Sequence, residues 1–396
     1  MISSDSLARS RACLKAIHHL AAPLTEPLLL MEVCGTHTMA IARHALKQLL
    51  PENLRLISGP GCPVCVTHQR DLESALALPR QRGVLLATYG DMLRVPGYRS
   101  SLQEEKARGA SVQVVTSAME ALELAISSPT QKTVFLGIGF ETTAPGTAAA
   151  LIRAQRERVT NFFVLSLHKR VPPVLRFLAS QKDIPLGGFL LPGHVATILG
   201  EEPFAFLAEE YSLASAIAGF EQEEILLALT ALLGQITRQE FRLQNLYPQH
   251  VRPQGNPKAR QLLEQVFRPA PALWRGLGEL EESGLTLREA YASFDASPLV
   301  PPLEEPLKED LQRQERCRCG DILLGRLSPP ECPLFGRGCT PLRPLGPCMV
   351  SGEGSCAAAW RYEKKSSEHV GSIENTGSAQ RTGAAQHTET EGRSFL

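Results

Sequence analysis

Between residues 28 and 234 the chain switches repeatedly from a short apolar run to a stretch of helical period, and few folds accept that rhythm. The apolar or β-rich runs are 28–33, 54–57, 84–88, 112–115, 134–138, 162–167, 188–191 and 214–218. Helix-period stretches follow most of them, at 38–50, 66–78, 116–126, 143–156, 171–179 and 221–233. Alternation of this kind asks for parallel sheets built from βαβ units. Eight strands can close into one barrel or divide into two lobes. A barrel normally needs more residues between strands. Two α/β lobes are therefore expected, 28–128 and 129–234, with the crossing at SSPTQK, 127–132.

Outside that span the rhythm is lost. A helix over 7–20 and a Pro-containing linker precede it. After Gln235 comes FRLQNLYPQHVRPQGN, which is irregular, and 258–315 reads as short helical pieces with turns. A Cys-rich segment, 316–362, follows. Residues 1–27 and 235–362 are expected to make a third, mostly helical and irregular domain. The last stretch, 363–396, is Ser/Thr/Gly/Glu/Gln-rich and has too few apolar residues to bury a core, so disorder is expected.

Charge and hydropathy narrow the function classes. Lys and Arg number 41, as do Asp and Glu. Bulk electrostatics therefore give no pull towards nucleic acid or an anionic membrane. The segment 13–24 is broken by Lys15, His18 and His19, which spoils a secretory apolar region. No apolar run nears the ~20 residues that span a bilayer. A soluble, cytoplasmic protein is expected.

Two strand ends carry sulfur. The first run stops at Cys34-Gly35, and Thr36, His37 and Thr38 open the next helix. That sets a thiol and an imidazole at the carboxyl edge of a sheet, where open α/β sheets keep their ligand crevice. A thiol beside a helix N-terminus and a protonated His37 is expected to be partly thiolate at neutral pH. A packed core cysteine is the other reading. The second run leads into SGPGCPVCVTH, 58–68, where Gly59, Pro60, Gly61 and Pro63 stiffen a turn. Cys62 and Cys65 form a CxxC at the mouth of the following helix. This spacing lets the sulfurs meet, as in redox dithiols, and equally supplies half a metal site. Cys34, Cys62 and Cys65 leave neighbouring strands and can converge.

Other strand ends carry polar groups. Asp91 and Arg94 in TYGDMLRVPG are a binding pair or a solvated turn. In GIGFETTAP the glycines do not complete GxGxxG. Glu141 there is an acid or base facing the other lobe, or one member of a capping cluster. His168 and His194 follow later strands, each structural or catalytic.

Six of the ten cysteines crowd the Cys-rich segment, as Cys317-x-Cys319-x12-Cys332-x6-Cys339-x8-Cys348-x7-Cys356. In a cytoplasmic chain such clustering favours metal or redox work over structural disulfides. Four thiolates separated by Gly/Pro turns suit an iron–sulfur cluster, whereas zinc prefers paired CxxC knuckles, absent from this segment. Arg316, Arg318, Arg326 and Arg337 offset thiolate charge or are ordinary solvated arginines. Three functions accommodate these residues: a redox-active scaffold for assembling an iron cofactor, a thiol-disulfide or iron–sulfur oxidoreductase with a small-molecule substrate, and a zinc-stabilised interaction module.

MEVCGTHTMAI, SGPGCPVCVT, TYGDMLRVPG, GFETTAP, LPGHV, SGLTLREAYASFDA and ECPLFGRGCTP…CMVSGEGSCAAAWRY together resemble the HypD family of [NiFe]-hydrogenase maturation factors, from about residue 28 to 362. The match thins at 216–221 and 245–256. The resemblance implies two Rossmann-like lobes and a third domain holding a [4Fe–4S] cluster. It implies a monomer working in a heteromeric complex with the small chaperone HypC. That pair would hold one iron while cyanide, supplied through HypE with HypF upstream, and carbonyl are added. The Fe(CN)2CO unit would then pass to the hydrogenase large subunit. Such a protein is an assembly scaffold rather than a conventional turnover enzyme. By the same resemblance Cys34 is the iron-binding thiolate, and Cys62 and Cys65 are a redox dithiol beside the metal. The spacing C-x14-C-x6-C-x16-C makes Cys317, Cys332, Cys339 and Cys356 the cluster ligands and leaves Cys319 and Cys348 over. Soft thiolates bind iron and tolerate strong-field ligands. His37 is expected to orient or protonate Cys34, and Glu141 to handle protons.

Overall fold

The computed structural model describes residues 4–363. All eight expected strands form: Leu28–Glu32 (β1), Leu54–Ser58 (β2), Val84–Thr88 (β3), Val112–Val114 (β4), Lys132–Gly137 (β5), Phe162–Ser166 (β6), Leu186–Pro192 (β7) and Ala214–Ala218 (β8). They lie in two parallel sheets, ordered β2-β1-β7-β8-β9 and β4-β3-β5-β6, where β9 is Leu243–Asn245. The α/β class with two parallel-sheet lobes holds.

The sheets are not consecutive in the chain. After β2 the chain leaves for the other sheet, lays down β3 to β6, and returns to place β7 directly against β1, with Leu30 opposite Gly188 and Met31 opposite Phe189. The division at 128/129 therefore runs through the middle of the four-stranded sheet, between β4 and β5, and does not separate the lobes. Apolar periodicity marks a strand but not its partner.

Each sheet is buried on both faces, which explains the unbroken apolar runs. Leu30, Leu54, Leu56 and Leu190 pack under helices Ser4–Ala21 and Gln222–Arg238. The opposite face of the same sheet, Met31, Val33, Phe189 and Leu191, joins Val84, Leu86, Val134 and Leu136 of the other sheet in a central core. Ala87, Phe135, Phe162 and Val164 turn outward to helices Ala118–Ser127 and Ala144–Arg156. Helix Ser4–Ala21 thus belongs to the first lobe, and β9 extends its sheet; neither is part of a separate Cys-rich domain as the sequence reading had it.

Residues 258–315 also differ from the expectation of helical pieces. Phe267–Trp274 (β10) and Gly278–Leu287 (β11) pair as an antiparallel hairpin. Pro269 and Pro271 are tolerated on a two-stranded edge and not inside a helix. Gly276 and Gly278, both at positive φ, make the turn. The expectation for 363–396 falls, apart from Glu363, outside the described residues. Among the described residues no helix is long and apolar enough to cross a membrane.

This topology creates two switch points, between β1 and β7 and between β3 and β5, where chain direction across the sheet reverses. Ligand crevices of open α/β sheets lie at such points. Cys34 follows β1, Asp91 follows β3 and Glu141 follows β5.

Candidate functional site

Cys34 is the N-cap residue of helix Gly35–Arg43, with extended backbone. Its N–H donates to a carboxylate oxygen of Glu32 (3.0 Å), and the Thr38 hydroxyl donates to the other oxygen. The next strand end lies backbone against backbone with it: the Gly35 N–H donates to the Gly61 carbonyl (3.0 Å), and a Cβ on Gly61 would fall 2.3 Å from the Cys34 nitrogen. Glycine at 61 is what allows the two turns to touch. One residue further on, Cys62 and Cys65 are joined as a disulfide with Cα atoms 5.2 Å apart, and the Cys65 N–H points at the Cys62 sulfur (3.1 Å). The structure thus brings Cys34 and the CxxC together. In this oxidation state neither Cys62 nor Cys65 offers a free thiolate to a metal, contrary to their expected place beside one.

Cys34 is not the partly ionised thiol expected from its place at a helix start. Burial pushes its pKa up to about 12; the backbone amides of His37 and Thr36 act the other way, and nearby Glu32 and Glu353 add to the rise. Nor is His37 a cation. Burial lowers its pKa to about 4. Its Nε2 is bonded to the Gly219 carbonyl (2.8 Å), and its ring packs on Phe220, which stacks in turn on His194. The ring is committed to the turn after β8 rather than to Cys34, so its expected role of protonating that thiol is not what the geometry provides.

Glu141 is buried, and both its oxygens accept the Val171 N–H at the start of helix Val171–Ala179 (2.9 and 3.2 Å). Burial raises its pKa to about 7. The capping reading holds, although the helix capped is one the chain reaches 30 residues later. His168 is likewise buried and neutral, with Nε2 on the Thr147 hydroxyl (3.0 Å). His194 is the exposed member of the set.

Asp91 and Arg94 are exposed, and each also holds a group of the Cys-rich segment. The Ser351 hydroxyl donates to Asp91 (2.8 Å), and Arg94 donates to the Pro341 carbonyl (3.2 Å). These contacts dock the Cys-rich segment on the front site. Glu353 from that segment accepts from the Thr36 hydroxyl (3.1 Å) and stands over Gly35, where an added Cβ would meet its side chain at 2.5 Å.

Behind this contact, Cys317, Cys319, Cys332, Cys339, Cys348 and Cys356 all line one small cavity with Ile322, Leu334, Phe335, Leu345 and Met349. The free thiols of Cys317 and Cys319 are hydrogen-bonded to each other, as are those of Cys319 and Cys348. For Cys356, burial and then the neighbouring sulfurs of Cys319, Cys317, Cys339 and Cys332 press the thiol towards its neutral form. Among the described residues no group of three or more His, Cys, Asp or Glu is arranged about a single ion. Soft sulfur donors in an apolar wall suit a polynuclear cluster, whose thiolates sit on separate metal atoms. Turn Pro347–Met349 packs on the CxxC helix Pro63–Val66, so the cavity and the disulfide are adjacent.

Comparison with known proteins adds one decisive match. The model of the HypD family, described as "Hydrogenase formation hypA family", matches residues 8–363. The chain belongs to the HypD family. It is 41% identical over 351 residues to the hydrogenase maturation factor HypD of Escherichia coli strain K12, covering 88% of this chain and 93% of that protein. It is 43% identical over 343 residues to HypD of Azotobacter vinelandii (85% and 89%) and 39% over 344 residues to HypD of Rhodobacter capsulatus (87% and 91%).

Within this HypD-family chain three site residues lie inside family-like motifs without a role that spacing assigns: Glu32 in MEVCGTHTMAI, and Ser351 and Glu353 in CMVSGEGSCAAAWRY. Packing brings the first under Cys34 and the other two onto the front turns.

Proposed function

We propose that this chain is a hydrogenase maturation factor that, with a HypC-type partner, holds one iron ion as cargo while cyanide and carbonyl ligands are attached. Cys34 is the iron-binding thiolate, and HypE is the source of cyanide. The observation that carries this reading is the contact of two sulfur-bearing turns at a sheet switch point, backbone to backbone through Gly61, with a third sulfur group packed behind them. A cargo iron at Cys34 would meet a buried turn with Glu32 below it and Glu353 above. Thiolate ligation displaces the proton that burial otherwise keeps on Cys34.

The rear cavity would hold a [4Fe–4S] cluster on Cys317, Cys332, Cys339 and Cys356. When bound, such a cluster supplies one electron at a time at a potential tuned by its surroundings. The chain's own part is to exclude water with Ile322, Leu334, Phe335 and Met349 and to keep the sulfur atoms close to the CxxC turn. Cys319 and Cys348, the two left over, stand sulfur to sulfur in the same cavity. The Cys62–Cys65 disulfide stands next to the cargo and would take up two electrons, delivered singly through the cluster, and two protons to become the dithiol.

The test is the infrared spectrum of the complex co-purified with HypC. Bands in the cyanide and carbonyl stretching region are expected from the wild-type chain and not from Cys34→Ala. Bands that persist in Cys34→Ala remove it as the iron ligand. Colourless, zinc-loaded protein would remove the cluster.

A further inference from the structure

The arginines closest in sequence to the rear cysteines are exposed, Arg318 at the rim of the sulfur cavity included. Arg318 pairs with Asp321, Arg326 pairs with Asp183, and Arg316 and Arg337 are exposed. One buried guanidinium stands behind Cys317 and Cys319, in the cleft next to the sulfur cavity, and it comes from the hairpin turn. Arg275 is about nine-tenths buried. Its N–H donates to the Val66 carbonyl (2.9 Å), its Nε to the Thr67 carbonyl (3.0 Å) and its Nη2 to Gln69 Oε1 (2.9 Å). These are the residues directly after Cys65. The next residue, Gly276, lies so close to Gly320 that a Cβ there would fall 2.3 Å from its Cα, which sets Arg275 beside Cys319. Arg275, Cys317 and Cys319 line a common cleft.

Among the described residues every recorded hydrogen bond of this guanidinium ends on a neutral oxygen, and no ion pair includes it. Burying a charge without a counterion is costly. Cys317 and Cys319 share its cleft with the carboxylates of Glu315 and Asp321, the latter paired with Arg318. A thiolate-ligated iron–sulfur cluster would add negative charge on the sulfur side, and a fixed cation beside it favours the state with one more electron.

We propose that Arg275 is the charge-compensating residue of the rear sulfur site, clamped to the CxxC turn and raising the reduction potential of the cluster held by Cys317 and its partners. This rests on the cluster reading above. Arg275 acts through the cluster's surroundings and is a positioning residue, not a ligand.

A redox titration of the full-length chain, following the iron–sulfur electron paramagnetic resonance signal, tests it. In Arg275→Gln the equilibrium constant for one-electron reduction is expected to fall on the order of tenfold, a shift of about 59 mV. Arg275→Lys, which keeps the charge, is expected to stay within about twofold of wild type. Loss of the cluster from Arg275→Gln alone, with retention in Arg275→Lys, supports the same conclusion, since charge separates the two. An unchanged potential in Arg275→Gln overturns the proposal, as does loss of the cluster from both variants, which would mark a purely structural clamp. Wild-type protein without iron and sulfide overturns the cluster reading itself, and this inference with it.

Discussion

Cys34 and the Cys62–Cys65 pair stand at the ends of two hydrogen-bonded parallel strands, whereas the six rear cysteines stand on short turns that no sheet supports. At the front, main-chain geometry does the positioning: β1 and β2 run in register from Leu28↔Leu54 to Glu32↔Ser58, so their exit turns must lie side by side. At the rear, Gly and Pro bend the chain through short local backbone hydrogen bonds, and sulfur meets sulfur inside a cavity that no strand ladder frames. A site of the first kind is preformed. One of the second kind would rely on the proposed cluster for much of its order, because metal binding and folding free energy are then the same quantity.

The largest test of that contrast, which rests on the proposed cluster, is treatment of the purified protein with an iron chelator. Amide exchange protection is expected to collapse across the Cys-rich segment while β1 to β8 keep theirs. Equal loss in both regions would erase the distinction. Next comes Gly61→Ala. The added methyl runs into the Cys34 backbone, and overpacking of this kind costs roughly 1–3 kcal/mol. The control is Gly90→Ala, where the nearest atom to the new Cβ is 3.8 Å away. Denaturant melts should separate the two variants; similar melts would mean that the front turns can move apart without penalty.

Acidity probes the scaffold around the front site. His37 and His168 have folded pKa values of about 4, below the ordinary 6.5, so their contribution is present above pH 6.5 and is lost as pH falls towards 4. Glu141 works in the opposite sense. Its folded pKa of about 7 exceeds the ordinary 4.5, so its contribution is present below pH 4.5 and is lost as pH rises through 7. Each shift corresponds to about 3 kcal/mol at most. Glu141→Gln is therefore expected to gain melting temperature relative to wild type as pH is raised from 5 to 8, and a parallel pH profile would refute the buried-carboxylate assignment.

The smallest effect belongs to the seam between front and rear. Ser351→Ala leaves Asp91 without its hydroxyl partner and is expected to cost about 1 kcal/mol. It should also raise the exchange rate of the 340–355 turns without altering β1 or β2. No change at either readout would show that Arg94 and Glu353 hold the seam by themselves.

Much of this was readable in the residues. Each apolar run became a strand, and the turns bearing Cys34, Cys62, Asp91, Glu141 and His194 all emerged at carboxyl ends of strands, because hydrophobic period and Gly/Pro punctuation are local properties. The lobes were misdivided because β7 is as apolar as β3, and nothing local says which of them should lie against β1. The hairpin at 267–287 was missed because Glu279, Glu281 and Glu282 mimic a helix surface, while the glycines that force the turn have no period. The protonation state of Cys34 was misjudged because proximity to a helix start is visible in sequence and burial is not.

The amino-acid order alone determined the strands β1 to β8, the family and the identity of the sulfur groups, since these follow from spacing and side-chain chemistry along a few consecutive residues. Tertiary structure decided which strands became neighbours, that Gly61 touches Cys34, that Glu353 covers it, and that Arg275 stands behind cysteines more than 40 residues away. Those facts depend on burial and on contacts between distant segments, and a charge or a thiol takes its properties from whatever closes around it.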